Sequence, residues 1–139
     1  MGKINYGRVI LGGLLAGLVV NIFEIAFGLL MMDEWQAALK AAGISWEMSP
    51  AEMIVFPLLS FAVGIAAVWL YAVARPRFGP GPKTAACVGF AYGIIGYAIP
   101  TLAWGMTIRL PAHLLAMGIV WGVVEATAAT VVGAWPYKE

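Results

Sequence analysis

Two glutamates occur in one local setting, Gly17-x6-Glu24 and Gly118-x6-Glu125, each inside a long apolar run. A carboxyl group is costly in hydrocarbon, so it faces a bundle interior or water and takes a partner. In a dry site it is neutral and donates one hydrogen bond. Asn21 stands three residues before Glu24 on the same helical face and is its nearest polar partner. Tyr92 and Tyr97 lie deep in another apolar run and can serve either acid, as can Thr127 or Thr130. The intramembrane site expected is therefore Glu24, Glu125, Asn21, Tyr92 and Tyr97. Residue type leaves three readings open: a polar clasp that sets helix register, proton or cation handling, and a site for a lipid, pigment or small molecule.

What must position these acids is a membrane bundle. Of 139 residues, 63% are hydrophobic and 11% charged, with mean hydropathy +0.91. Soluble domains run near ~45–50% apolar and ~25% charged. Four apolar segments, 9–32, 52–74, 84–106 and 111–134, each reach the roughly 20 residues that cross about 30 Å of hydrocarbon. Strict alternation is absent, so the segments read as helices rather than barrel strands. The first is too long for a signal peptide and has no A-x-A site after it. The chain thus reads as a single integral membrane domain, an all-α bundle of four transmembrane helices.

Basic residues orient it. Lys3, Arg8, Arg75, Arg77, Lys83 and Lys138 fall on one side of four spans, and only Lys40 and Arg109 on the other. The positive-inside rule places both termini in the cytoplasm, as in a bacterial inner membrane protein. Between the first two spans, 33–42 carries Trp35, Ala38, Leu39 and Ala42 at helical spacing. It reads as a short extracytoplasmic interfacial helix ended by Gly43. Ser49-Pro50-Ala51-Glu52 reads as a capped helix start, with Glu52 completing a capping box. The prolines and glycines of 75–83 should stop the second helix and stiffen the turn. Arg75, Arg77 and Lys83 there are suited to anionic lipid headgroups.

Small residues line one face of each span. They read Gly13, Gly17, Asn21, Glu24, Gly28; then Pro57, Ser60, Gly64, Ala67, Tyr71; then Gly89, Gly93, Gly96, Pro100; then Gly118, Gly122, Glu125, Ala129, Gly133. Such faces let helices approach closely in lipid. Helices 1 and 4 share the glycine–glutamate spacing in opposite directions, a feature of inverted repeats in transporters. At 1.5 Å per residue, Glu125 falls near the midplane and Glu24 about 7 Å beyond it.

Other chemistries find little support. His113, the single histidine, follows Pro111 at the start of the fourth span and reads as an interfacial polar residue. It keeps open a weaker alternative, a pigment- or haem-binding subunit. Cys87 is alone, so no disulfide or zinc cluster is expected. Ser45, Ser49 and Ser60 lack a histidine base at their depth. Net charge +1 gives no field for nucleic acid. No catalytic residue, metal or cofactor is expected, and the chain is read as no enzyme.

The loop Arg75-Pro-Arg-Phe-Gly-Pro-Gly-Pro-Lys83, the Gly-x6-Glu of the fourth span and the closing Gly133-Ala-Trp-Pro-Tyr-Lys-Glu139 resemble those of small four-helix bacterial integral membrane proteins. That resemblance implies the fold and no particular activity. Small multidrug-resistance transporters also carry four helices and a helix-1 glutamate, but the surrounding residues differ and 33–52 is foreign to them. The reading taken forward is a small polytopic membrane protein without enzymatic activity, self-associating or an accessory subunit of a membrane complex. The alternative is a proton- or cation-coupled carrier or channel using Glu24 and Glu125.

Overall fold

The computed structural model describes residues 4–138. Lys3 and Glu139, used above for orientation and for the closing motif, lie outside the described residues. Four helices account for nearly all of them: α1 Tyr6–Ala41, α2 Pro50–Phe78, α3 Pro82–Thr107 and α4 Ala112–Ala134. All four are long and apolar enough to cross a membrane. Their outward faces are apolar: Ile25 is 63% exposed and Leu29 83%. Such a surface is disfavoured in water and suited to acyl chains.

Residues 33–41 form no separate interfacial helix; they continue α1, which is 36 residues long. Nothing between Met32 and Ala41 breaks a helix, since the stretch lacks glycine and proline. At 1.5 Å per residue α1 extends about 54 Å, well beyond about 30 Å of hydrocarbon, so its last turns emerge from lipid. Gly43, at φ +79°, then ends it. The capping box at Ser49 is present: the Ser49 N–H donates to Glu52 Oε2 at 2.7 Å, and the Glu52 N–H donates to Ser49 Oγ at 3.3 Å.

The stop expected from the prolines and glycines of 75–83 is present, but a glycine makes it rather than Pro76. α2 runs through it to Phe78, and Gly79 at φ +85° terminates the helix. Proline in a last turn forfeits one backbone bond, whereas a left-handed residue redirects the chain. Within α3, Ile94–Ala98 form a π-helical turn just ahead of Pro100. Pro100 cannot donate to the preceding turn and its ring crowds it, a common setting for such irregularity.

α4 is the central helix and touches all three others, whereas α1 and α3 do not meet. α2 packs on α3 only along Pro82–Gly93. The bundle is therefore closed at the end that holds both termini and opens between α2 and the second half of α3. At the closed end, Gly12 and Gly133 face each other, and Gly13, Gly17 and Gly64 interlock. A Cβ on Gly17 would lie 2.6 Å from the Phe61 Cα, and one on Gly89 2.7 Å from the Thr127 Cα. Gly93 packs on Val123 in the same way. Gly118 and Gly122 instead make room for side chains, the ring of Trp35 and the Tyr97 ring. Gly28 and Gly96 meet no neighbouring helix, so the packing read there from spacing is not seen. The tight glycine seams are thus used within the single chain.

Candidate functional site

Glu125 lies on the inner face of α4 and is fully buried. The Tyr97 hydroxyl donates to its Oε1 at 2.7 Å. Local geometry explains this contact. Tyr97 belongs to the π-helical turn of α3, where one extra residue per turn shifts the side-chain register. Its ring crosses Gly122, whose missing Cβ would stand 2.7 Å from the Tyr97 Cβ. Glu125 follows three residues later on the same face of α4, within reach of the hydroxyl.

The carboxyl group of Glu24, from α1, lies against that of Glu125. The two acids found at one sequence spacing therefore meet. The Oε2 of Glu125 is buried without a hydrogen-bonding partner other than what this carboxyl contact can supply. Glu24 itself is exposed, on the wall of a cavity of about 670 Å³ between the distal halves of α1 and α2. Asn21, Ser60 and Tyr97 share that wall, and Phe27, Trp35, Trp46 and Phe56 give it an aromatic surface. α2 and α3 make no close backbone approach beyond Gly93, and Tyr97 reaches the cavity wall from that second half of α3.

Asn21 is not the partner of Glu24. Its amide nitrogen donates to the backbone carbonyls of Gly17 at 2.9 Å and Pro57 at 3.4 Å. The first is a bond within α1, the second ties α1 to α2, and together they leave the Glu24 carboxyl to Glu125. Tyr92 stands near Tyr97, one turn before it, and reaches neither acid through a described hydrogen bond. Thr127 and Thr130 bond back to carbonyls of their own helix, at Val123 and Ala126. The cluster is thus Glu24, Glu125 and Tyr97.

The basic group at the closed end divides. Arg75 lies over the Tyr137 ring, 5.5 Å from its centroid, and so serves packing beyond any headgroup role. Arg77 and Lys83 are exposed beside it. Tyr137 also accepts the Asn5 N–H at 3.3 Å, and the Tyr71 hydroxyl accepts the Gly81 N–H at 3.1 Å. His113 at the distal end has a partner the spacing of residues did not suggest. Its Nε2 lies 2.7 Å from Glu34 Oε1, on the part of α1 that continues past the expected boundary. Once α1 is one long helix, Glu34 and the start of α4 come to the same level. Between these residues and Glu125, Trp121 packs among Phe23, Phe27 and, through Phe27, Trp35. Comparison with family models, curated proteins and solved structures finds no match.

Proposed function

We propose that this small membrane protein handles a proton and a cation at the Glu24–Glu125 pair, as a coupled carrier without enzymatic activity. The observation carrying this reading is the contact between the two carboxyl groups at the wall of an open cavity. Two adjacent carboxyl groups cannot both ionise cheaply. Such a pair retains a proton until a cation takes its place. Tyr97 holds Glu125 in position by donating to one oxygen, and Glu24 is the member reached from the cavity. A structural clasp needs neither an opening nor an exposed acid. The sidedness follows from charge. Arg8, Arg75, Arg77, Lys83 and Lys138 gather at the closed end, which we assign to the cytoplasm of a bacterial inner membrane.

The test is made in liposomes with a trapped pH dye and an imposed proton gradient. Sodium, potassium and tetraethylammonium are added outside in turn, and at least one of them is expected to discharge the gradient faster with protein than in empty vesicles. The Glu24→Gln, Glu125→Gln double variant is expected to behave as empty vesicles do. Equal discharge by wild type and double variant would remove the mechanism.

A further inference from the structure

We infer that the cavity beside Glu24 takes a lipophilic organic cation that enters sideways from the bilayer. This deepens the reading above and rests on it. The cavity of about 670 Å³ falls within the range of ~300–1,000 Å³ typical of small-molecule sites. Its ionisable lining is acidic apart from the Tyr97 phenol: Glu24 and Glu52 are on the wall, and among the described residues no lysine, arginine or histidine lines it. Behind Glu24 stands the fully buried Glu125, whose Oε2 has only the Glu24 carboxyl group as a partner. The titratable groups at the cavity and the pair are then Glu24 from α1, Glu52 on the α2 wall, Tyr97 from α3 with Tyr92 beside it, and Glu125 from α4.

The rest of the wall selects the kind of cation. Phe27, Trp35, Trp46 and Phe56 give it four aromatic side chains, with aliphatic residues between them. Rings attract a cation through their quadrupole, most strongly when it is weakly hydrated. A small metal ion would lose its water there without enough oxygen ligands to replace it. A cation that carries its own apolar surface loses little. Entry from lipid is the route this proposal takes, because α2 and the second half of α3 make no close backbone approach that would bar it.

Tetraphenylphosphonium and tetraphenylborate test this, because they share shape and apolar surface but differ in the sign of charge. Binding to the purified protein in mild detergent is followed by equilibrium dialysis, with protein-free micelles subtracted. Tetraphenylphosphonium is expected to bind saturably and to release protons into weakly buffered solution. Tetraphenylborate is expected to bind no more than it does to micelles. Glu24→Gln should weaken cation binding at least about tenfold, or about 1.4 kcal/mol. Trp46→Ala should weaken it while leaving proton release per bound cation intact. Equal binding of the two ions, insensitive to Glu24→Gln, would reduce the site to apolar partition and overturn the inference. Absence of cation binding beside a glutamate-dependent discharge in liposomes would overturn the ligand class alone. Absence of both would overturn the function as well.

Discussion

At the closed end of the bundle, helices meet through hydrogen atoms; at the distal end they meet through rings. Gly12 and Gly133, or Gly13, Gly17 and Gly64, bring backbones so close that a methyl group has no room. Toward the distal end α1 and α4 are held apart by Phe23, Phe27, Trp35 and Trp121. α2 there has lost contact with α3 altogether. The difference teaches where a membrane bundle can hold a polar site. Close backbone packing leaves no volume for a ligand, and bulky contacts leave gaps between them. Glu24, Glu125 and Tyr97 sit at the border, with Glu125 under the packed region and Glu24 on the open wall.

The comparison can be broken most directly at its glycines. Gly64→Val places branched carbon against the backbone of Gly13 and Gly17. We expect a loss of roughly 3 kcal/mol or more, or failure to fold, because overpacked backbone cannot relax. Gly28→Val, by contrast, meets only the tip of Met32 at 3.8 Å and should stay within about 0.5 kcal/mol. Thermal unfolding of both variants in the same detergent reads the difference. Similar midpoints would mean that the two ends are not packed differently.

Next in size is the border. Tyr97→Phe removes the donor to Glu125 Oε1 and leaves a fully buried carboxyl short of a partner. The expected loss is about 1–3 kcal/mol, and it should shrink when Glu125→Leu is introduced in the same chain. A double-mutant cycle by chemical unfolding measures that coupling. Additive losses would show that the hydroxyl does not act through Glu125. A smaller effect is expected at the closed end from Tyr71→Phe, which deletes the bond from the Gly81 N–H in the α2–α3 turn. About 1 kcal/mol is expected, with faster hydrogen exchange confined to that turn.

The smallest effect belongs to the distal surface. Glu34→Gln breaks the pair with His113, whose side chains are 53% and 60% exposed respectively. Exposed pairs contribute about 0–1 kcal/mol, and the variant should stay within that range of wild type in thermal unfolding. A larger loss would make this contact a strut holding α1 against α4. It would then weaken the distinction between the two ends.

Four spans were legible in the chain because hydrocarbon imposes length and composition directly on each segment, independent of its neighbours. The closed-end glycine seams were legible too, since small residues at helical spacing have one common use in lipid. Gly28 and Gly96 carried the same spacing without that use, because spacing reports the face of a helix and not whether another helix reaches it. The boundary drawn at Met32 failed for a related reason: hydropathy falls there, yet nothing stops the backbone hydrogen bonds. The partner chosen for Glu24 failed because Asn21, though adjacent on the helix, finds closer acceptors in the carbonyls of Gly17 and Pro57.

By itself, then, the order of residues determined a membrane-spanning, all-helical chain with acids at depth and a tight glycine face, since those follow from local composition. Only the tertiary structure decided that the two acids touch, that Tyr97 rather than Tyr92 joins them, and that a cavity opens beside Glu24. Those outcomes depend on how helices turn about their axes and where they part. A single π-helical turn before Pro100 and a side chain seated on Gly122 set them, and neither can be computed from any one segment in isolation.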